Sequence, residues 1–346
     1  MSNRSVSKLT HHSAPVWAAA AAVVLLSTLG ARSEDDLGNK ITCEVNRVFQ
    51  ERQSAVVRVE ALDHHGRLTG TGFFTDPSGT IYTLSYIVAN AQEVMIVRGD
   101  EKIPAKVLVA DPRSGIALLK ADISSPFIPL GNSRKLALSS PVLTIGYTPG
   151  FSDTPSFGIV GGFDRKFLGK YFTTTHIRAN LPVQAGFGGA PLLNLNGEVV
   201  GIIIAGVGGG ASCYAVPIEA AEKIRMDYAR YGEPRHGWLG VKAEEQDVKV
   251  DGSSVRISEV GSDTPAALAG LKPGDVLLQI GAVKITEPED IIDASYFLTA
   301  GDKVAVEIVR DGQKKTIEVE SARHPATGVP SSPNELVGQV PMFIFQ

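Results

Sequence analysis

The sequence predicts a mainly β chain in which two packed β-barrels are followed by a small α+β unit. Three observations carry this. Short apolar runs separated by turn residues recur through roughly 190 residues and fall into two sets, as closed or sandwiched β structures require. A glycine-rich loop, Gly186-Phe187-Gly188-Gly189, falls within the second set. After a polar linker, a stretch of about 90 residues mixes strands with two helices, the size of a small self-contained unit.

The chain has 346 residues and a formal net charge of -4. No Lys/Arg stripe is interleaved with aromatics, so nucleic acid is not expected as a partner. The two cysteines, Cys43 and Cys213, are too few for a disulfide framework and lack metal-ligand spacing. They read as two separate buried thiols, one disulfide between them being the alternative. No metal or cofactor is implied. At the N-terminus, Arg4 and Lys8 precede an uncharged stretch from Ala14 to Ala31, and Glu34-Asp35-Asp36 follows it. This pattern predicts a secretory signal peptide or a transmembrane anchor over 1–33. The basic residues before it keep the N-terminus in the cytoplasm. The body of the protein is therefore expected outside the cytoplasm, in the periplasm or cell envelope, with membrane association only through this segment.

Ile41, Val45 and Val48 have helical spacing and predict a lead-in helix. The first set of strands contains Ala55-Val56-Val57-Arg58-Val59, Gly70 to Thr75, Thr80 to Leu84, Val94 to Val97, Ala105 to Val109 and Ile116 to Lys120. Asp76-Pro77-Ser78-Gly79 is a turn by composition. The second set contains Val142 to Gly146, Ser156 to Val160, Phe172 to Thr175, the strands on either side of Asn194–Gly197, and Ala215 to Pro217. Ile218 to Tyr231 then has apolar residues at helical spacing.

The loop Pro182 to Leu193 organises the rest. Glycines at 186, 188 and 189 permit positive φ and close backbone approach. Such a loop can aim consecutive N–H groups at one point, as an oxyanion hole does. A tight connection between two strands is the plainer reading of the same glycines. The residues from Gly186 to Leu192 resemble the nucleophile loop of the HtrA/Deg-type trypsin-like serine endopeptidases, Gly-Asn-Ser-Gly-Gly-Pro-Leu. Further segments resemble that family in the same order. Gly70-Thr71-Gly72-Phe73 is similar to its Gly-Ser-Gly-Phe strand. Thr83 to Val88 is similar to Thr-Asn-x-His-Val-Val, and Asp111 to Lys120 to Asp-Pro-x-x-Asp-Leu-Ala-Leu-Leu-Lys. Gly158-Ile159-Val160 matches Gly-Ile-Val. The resemblance implies a trypsin-like double β-barrel over 38–232.

It also implies where the catalytic groups would lie. The serine falls on Gly188, the histidine on Tyr86 and the aspartate on Gly115. Acyl transfer to a serine needs a hydroxyl, a base for its proton, and a carboxylate that fixes the base's tautomer. Gly188 has no side chain, a phenol of pKa about 10 is a poor base near neutrality, and Gly115 offers no carboxylate. Losing one member of such a triad costs on the order of 10⁶ in turnover. The expectation is therefore a pseudo-protease, not an enzyme, with no catalytic residue intact. Of the oxyanion-loop positions Gly186 and Phe187, the first keeps the family's glycine and the second replaces a small polar residue, while Ala190 replaces a glycine; a bulky ring at 187 is able to fill the space of a substrate carbonyl, and the plainer reading is that it simply covers the core. The alternative is an active endopeptidase using Cys213 with His176, the one other nucleophile–base pair that can be drawn. Ser85 neighbours Tyr86 but is expected on the opposite face of a strand.

From Gly232 to Gly237 the chain reads as a polar linker. Val255 to Val260, Val276 to Ile280, Val304 to Val309 and Lys315 to Val319 read as strands; Thr264 to Gly270 and Pro288 to Leu298 read as helices. Trp238-Leu239-Gly240-Val241, Ala269 to Asp275 and Asp290-Ile291 resemble the carboxylate-binding loop, turn and groove helix of a PDZ domain appended to HtrA proteases, here over 233–323. The resemblance implies capture of peptide or protein C-termini by β-strand addition. Trp238, Leu239, Gly240 and Val241 would bind the carboxylate end, with Ile292 and Tyr296 on the peptide side of the helix. A unit that packs on the barrels and binds nothing is the alternative. The remaining 324–346 reads as a flexible Pro/Ser-rich tail ending in an apolar run. The expected partners are peptide C-termini, with a homotrimer or an assembly with an active homologue as implied by the family. The expected role is envelope protein quality control or signalling.

Overall fold

The computed structural model describes residues 38–168 and 170–323. The signal or anchor expected over 1–33 and the tail expected over 324–346 lie outside the described residues. Among the described residues, no helix is long and apolar enough to cross a membrane.

A helix, α1 (38–52), leads in, and Val48 on it is buried. Six strands then close a first barrel: β1 (Val56–Asp63), β2 (Gly66–Phe74), β3 (Thr80–Leu84), β4 (Glu93–Arg98), β5 (Glu101–Asp111) and β6 (Ile116–Ala121), in the spatial order β1-β2-β3-β6-β5-β4. Every pair is antiparallel. Closure removes the free edges that an open sheet would expose. Phe73, Ile81, Leu118 and Leu119 fill the core. Strand β3 stops at Leu84, and a single turn of helix, α2 (Ser85–Val88), follows it. Ser85 thus opens a helix, and the strand alternation expected for Ser85 and Tyr86 does not apply.

The second barrel repeats the plan with β7 (Pro141–Tyr147), β8 (Asp153–Phe167), β9 (Lys170–Asn180), β10 (Pro191–Leu193), β11 (Val199–Val207) and β12 (Ser212–Pro217), ordered β10-β11-β12-β9-β8-β7. Helix α3 (Ile218–Tyr231) follows directly, as its apolar spacing predicts, and buries Ile218, Ala220, Ala221 and Ile224. Its end is set by Gly232, whose left-handed φ of 75° lets the N–H reach back to the Tyr228 carbonyl.

The third unit has the short pair β13 (Gly237–Trp238) and β20 (Ala322–Arg323) and a main sheet. Its strands are β14 (Val241–Val250), β15 (Ser253–Val260), β16 (Val276–Ile280), β17 (Val283–Lys284), β18 (Lys303–Arg310) and β19 (Gln313–Glu320). The path is β14-β15-β16-β18-β19 with β17 on β16, so β14 is an edge strand. Helix α4 (Pro265–Leu268) starts with Thr264 as N-cap and Pro265 in its first turn. Helix α5 (Asp290–Phe297) is shorter than the span expected from sequence. Ile291, Ala294 and Leu298 face the unit's core, as their spacing predicts. Asp275, 1% exposed in its side chain, is paired by Arg310, which also donates to the Gly270 carbonyl at 2.8 Å. This buried charge is therefore compensated.

Side chains tie the third unit to the barrels. Thr174 Oγ1 of β9 donates to Asp293 at 2.8 Å, and Arg165 of β8 reaches Asp290 at 2.6 Å. On α3, Asp227 accepts from Lys223 at 2.6 Å and from Thr299 at 2.8 Å. His236 of the linker meets the buried Asp111 at 2.9 Å.

Candidate functional site

The cleft between the barrels is built by the loop that joins β9 to β10. Gly186 and Gly189 have φ of +91° and +88°, and a Cβ on either would meet backbone oxygens of Tyr147 or Thr71 at 2.1 and 2.2 Å. No other residue type fits these two places. Thr71 of β2, fully buried, clamps the loop from the opposite barrel. Its N–H donates to the Gly188 carbonyl at 2.9 Å and its Oγ1 to the Gly186 carbonyl at 2.7 Å, while Oγ1 accepts from the Tyr147 N–H at 3.0 Å. Thr83 donates to the Thr71 carbonyl at 2.8 Å and completes the clamp. The role of Thr71 was missed from sequence; a hydroxyl between two glycines, Gly70 and Gly72, was the available signal.

Gly188 lies opposite Tyr86. A Cβ at 188 would stand 2.9 Å from the Tyr86 hydroxyl and 3.2 Å from Leu84 Cδ1. The phenol is half-buried, and burial pushes its pKa up to about 12. Gly115 sits beside α2: its carbonyl accepts from the Ser85 N–H at 2.8 Å, and its φ is +76°. The fold thus brings Tyr86 to Gly188 and places Gly115 against the residue before Tyr86. The carbonyls of Gly186 and Gly188 are engaged by Thr71, whereas neither N–H has an acceptor among the described residues. Two amide donors therefore remain for a ligand oxygen, the arrangement that stabilises developing negative charge when both point to it.

Phe187 does not fill the cleft. Its ring is 1% exposed and lies in the core of the second barrel, so close to Gly146 that a Cβ there would meet three ring atoms at 2.7–2.8 Å. Of the two readings of this ring, core cover holds and occupation of the substrate-carbonyl space is corrected: burial of a large apolar surface turns it inward.

The Cys213–His176 pair does not form. Cys213 is in register with Ala179 on the neighbouring strand and lies in the second barrel's core. His176, three residues earlier on β9, points to the opposite face, because side chains alternate along a strand. Its Nδ1 bonds the Thr174 carbonyl at 2.7 Å and its ring stacks on Phe172 at 4.1 Å. Burial pushes the thiol up to about 12 and the imidazole down to about 4, so neither is poised as nucleophile or base near neutral pH. Both cysteines are free, and Cys43 is exposed, contrary to the expectation of two buried thiols. Among the described residues, no cluster of His, Cys, Asp and Glu could hold a metal ion.

A second loop has the same backbone logic. Gly240, at φ +83°, packs so tightly on Thr264 that a Cβ would lie 2.3 Å from that side chain. The Leu239 carbonyl accepts from Ala266 at 2.9 Å and the Gly240 carbonyl from Gly261 at 3.1 Å. The N–H groups of Leu239 and Gly240 have no acceptor among the described residues. Trp238 is half-buried, and Val241 begins the edge strand β14. On α5, Ile292 is half-buried. Tyr296 is completely buried and its hydroxyl donates to the Ala220 carbonyl of α3 at 3.1 Å. Its assignment to the peptide side is corrected: the ring is an anchor between the third unit and the barrels.

Comparison with known proteins gives the same partition. Residues 70–202 match the model of the trypsin-like peptidase domain, and residues 237–320 that of the PDZ domain. The chain is 33% identical over 291 residues to a probable periplasmic serine endoprotease, DegP-like, of Pseudomonas fluorescens, covering 77% of this chain and 61% of the relative. It is 34% identical over 271 residues to the protein of the same description in Pseudomonas fulva, covering 74% and 56%. The chain thus spans about three fifths or less of the length of these curated relatives. Among solved structures, the HtrA-type protease AlgW with tripeptide superposes with a TM-score of 0.68 at 23% identity, over 81% of this chain and 97% of the other. The serine endoprotease from Yersinia pestis gives 0.60 at 23%, over 81% and 98%. These two establish the fold. The relatives' names correct one expectation: proteins described as periplasmic serine endoproteases point to protease activity, so the conclusion from sequence that this chain is not an enzyme does not stand. The periplasmic relatives place the chain outside the cytoplasm. Over the residues shared with these relatives, the chain is HtrA/DegP-type in sequence and mainly β in fold, a trypsin-like peptidase domain followed by one PDZ domain.

Proposed function

We propose that this chain is an extracytoplasmic HtrA/DegP-like protein of envelope protein quality control that captures polypeptides by their free C-termini at the Leu239–Gly240 loop. The observation that carries the reading is the pair of unengaged N–H groups at Leu239 and Gly240 beside carbonyls that are already bonded. A carboxylate is the ligand group that accepts from two such donors at once. The edge strand β14, starting one residue later, then offers its outer N–H and C=O groups to the extended peptide. Charge and main-chain bonds supply affinity, and side-chain pockets select sequence.

Peptide-bond hydrolysis is the activity that the relatives' names attach to this fold. With glycine at 188, the attacking oxygen has to come from a water or another side chain, and release of labelled fragments from casein reads whether it does. Self-assembly belongs to the same reading, and sedimentation of the purified chain measures it. The binding test is a titration of the full chain with peptides that differ only in a free or amidated C-terminus. The reading expects the free acid to bind at least about 10-fold tighter, the cost of losing a charge-assisted pair of bonds. Equal affinity for the two forms removes the carboxylate-binding role.

A further inference from the structure

We propose that Thr264 is the positioning residue of the Leu239–Gly240 loop: its side chain fixes the loop's carbonyls from behind and so aims the Gly240 N–H at the incoming carboxylate. The inference rests on the capture of C-termini proposed above and names the residue on which that capture depends. Thr264 is 5% exposed and is wedged between two glycines. A Cβ at Gly240 would lie 2.3 Å from the Thr264 Cβ, and a Cβ at Gly261 2.8 Å from its Cγ2. Both positions have to be bare for this one side chain to fit.

The Thr264 hydroxyl is used on both sides. Oγ1 donates to the Gly261 carbonyl at 2.8 Å and accepts from the Ala267 N–H at 3.3 Å. The first bond holds Gly261, whose N–H donates to the Gly240 carbonyl at 3.1 Å. The second caps the first turn of α4, which carries Ala266, and the Ala266 N–H donates to the Leu239 carbonyl at 2.9 Å. In a trans peptide the N–H points opposite to the carbonyl of the residue before it. Tying the Leu239 carbonyl to Ala266 therefore turns the Gly240 N–H away from α4. Pro265 has no N–H, and the amides of Ala266 and Ala267 are spent on the Leu239 carbonyl and on Thr264. The first three residues of α4 thus offer no donor to a carboxylate, and the helix acts only through the loop that it holds.

The test uses the full chain and one dye-labelled peptide in free-acid and amidated forms, read by fluorescence anisotropy. Thr264→Val keeps the shape of the side chain and removes the hydroxyl. The preference for the free acid should fall from at least about 10-fold to under about 3-fold, while the amidated form binds as it does to the native chain. A loss of folding weakens both forms together, so their ratio reads positioning and not stability. Thr264→Ser keeps the hydroxyl and should keep the preference. Gly261→Ala should lose it, because the new Cβ meets the Thr264 methyl and turns the hydroxyl off its partners. The double variant Gly261→Ala with Thr264→Ser lacks that methyl and should regain it. A full preference in Thr264→Val, or no recovery in the double variant, would overturn the proposal and leave the capture of C-termini in place. Equal affinity of the native chain for the two forms would overturn both.

Discussion

Two loops in this molecule solve the same backbone problem in different surroundings. In the cleft loop, Gly186 and Gly189 stand where no Cβ fits, and in the PDZ loop Gly240 does the same. In both, carbonyls are bonded by neighbours and two N–H groups are left over, at Gly186 and Gly188 in one and at Leu239 and Gly240 in the other. The surroundings differ. The cleft loop is clamped from the opposite barrel by Thr71 and anchored below by Phe187, and it faces the Tyr86 phenol. The PDZ loop runs straight into an edge strand. Paired donors alone make a place for one oxygen; paired donors at the head of an open strand make a place for the end of a chain. Glycine content cannot distinguish the two, because the decisive groups lie on other elements.

The comparison breaks first at Phe187. If the cleft loop is rigid because this ring is buried, Phe187→Ala should destabilise the barrels by about 3–5 kcal/mol, the usual cost of emptying a core site of this size. Urea midpoints at constant m-value measure it. A loss under about 1 kcal/mol would mean that Thr71 alone sets the loop.

The next largest effect is a pH dependence carried by β9, the strand that enters the cleft loop. Burial lowers the His176 pKa to about 4 from an ordinary 6.5. Between these values the unfolded chain binds a proton that the folded chain does not, so stability rises with pH. The contribution is complete above pH about 6.5 and lost as pH falls through about 4, roughly 3 kcal/mol in all. His176→Gln should flatten this part of the profile. The PDZ region from 237 to 323 contains no histidine, so the same window tests the barrels specifically. An unchanged profile in the variant would show that His176 titrates normally.

Smaller still is the contrast within the cleft loop. Gly186→Ala forces a side chain into positive φ and against the Tyr147 carbonyl, at a cost of about 1–3 kcal/mol. Gly188→Ala meets only side-chain ends, the Tyr86 hydroxyl and Leu84 Cδ1, which can shift by a few tenths of an ångström, and should stay within about 0.5 kcal/mol. Equal losses at the two positions would show that the loop's glycines are required as a group. Thermal melts of the two variants decide this.

Much of the architecture was readable from residues alone. Alternating apolar runs marked the strands of both barrels, and α3 was predicted at its observed bounds because Ala220, Ala221 and Ile224 repeat at helical spacing. Gly186 and Gly189 were singled out for the right physical reason, whereas Gly188 has no positive φ. What escaped was set by partners distant in sequence. Sequence leaves Phe187 open between a cleft and a core position because its receiving site, Gly146, is 41 positions away. Tyr296 was placed in a peptide groove because helical spacing cannot reveal that the Ala220 carbonyl waits on another unit. The Cys213–His176 pair looked available until register put the two on opposite faces of one sheet.

The central claim is that the N–H groups of Leu239 and Gly240 receive a peptide's terminal carboxylate. Amide chemical shifts of the ¹⁵N-labelled full chain test it most directly, recorded with a C-terminal peptide in its free and amidated forms. The account predicts that the Leu239 and Gly240 amides move downfield with the free acid, stay in place with the amide, and that Gly186 and Gly188 are unaffected by either. Unmoved Leu239 and Gly240 signals at saturating peptide, or movement of Gly186 and Gly188 instead, would contradict it.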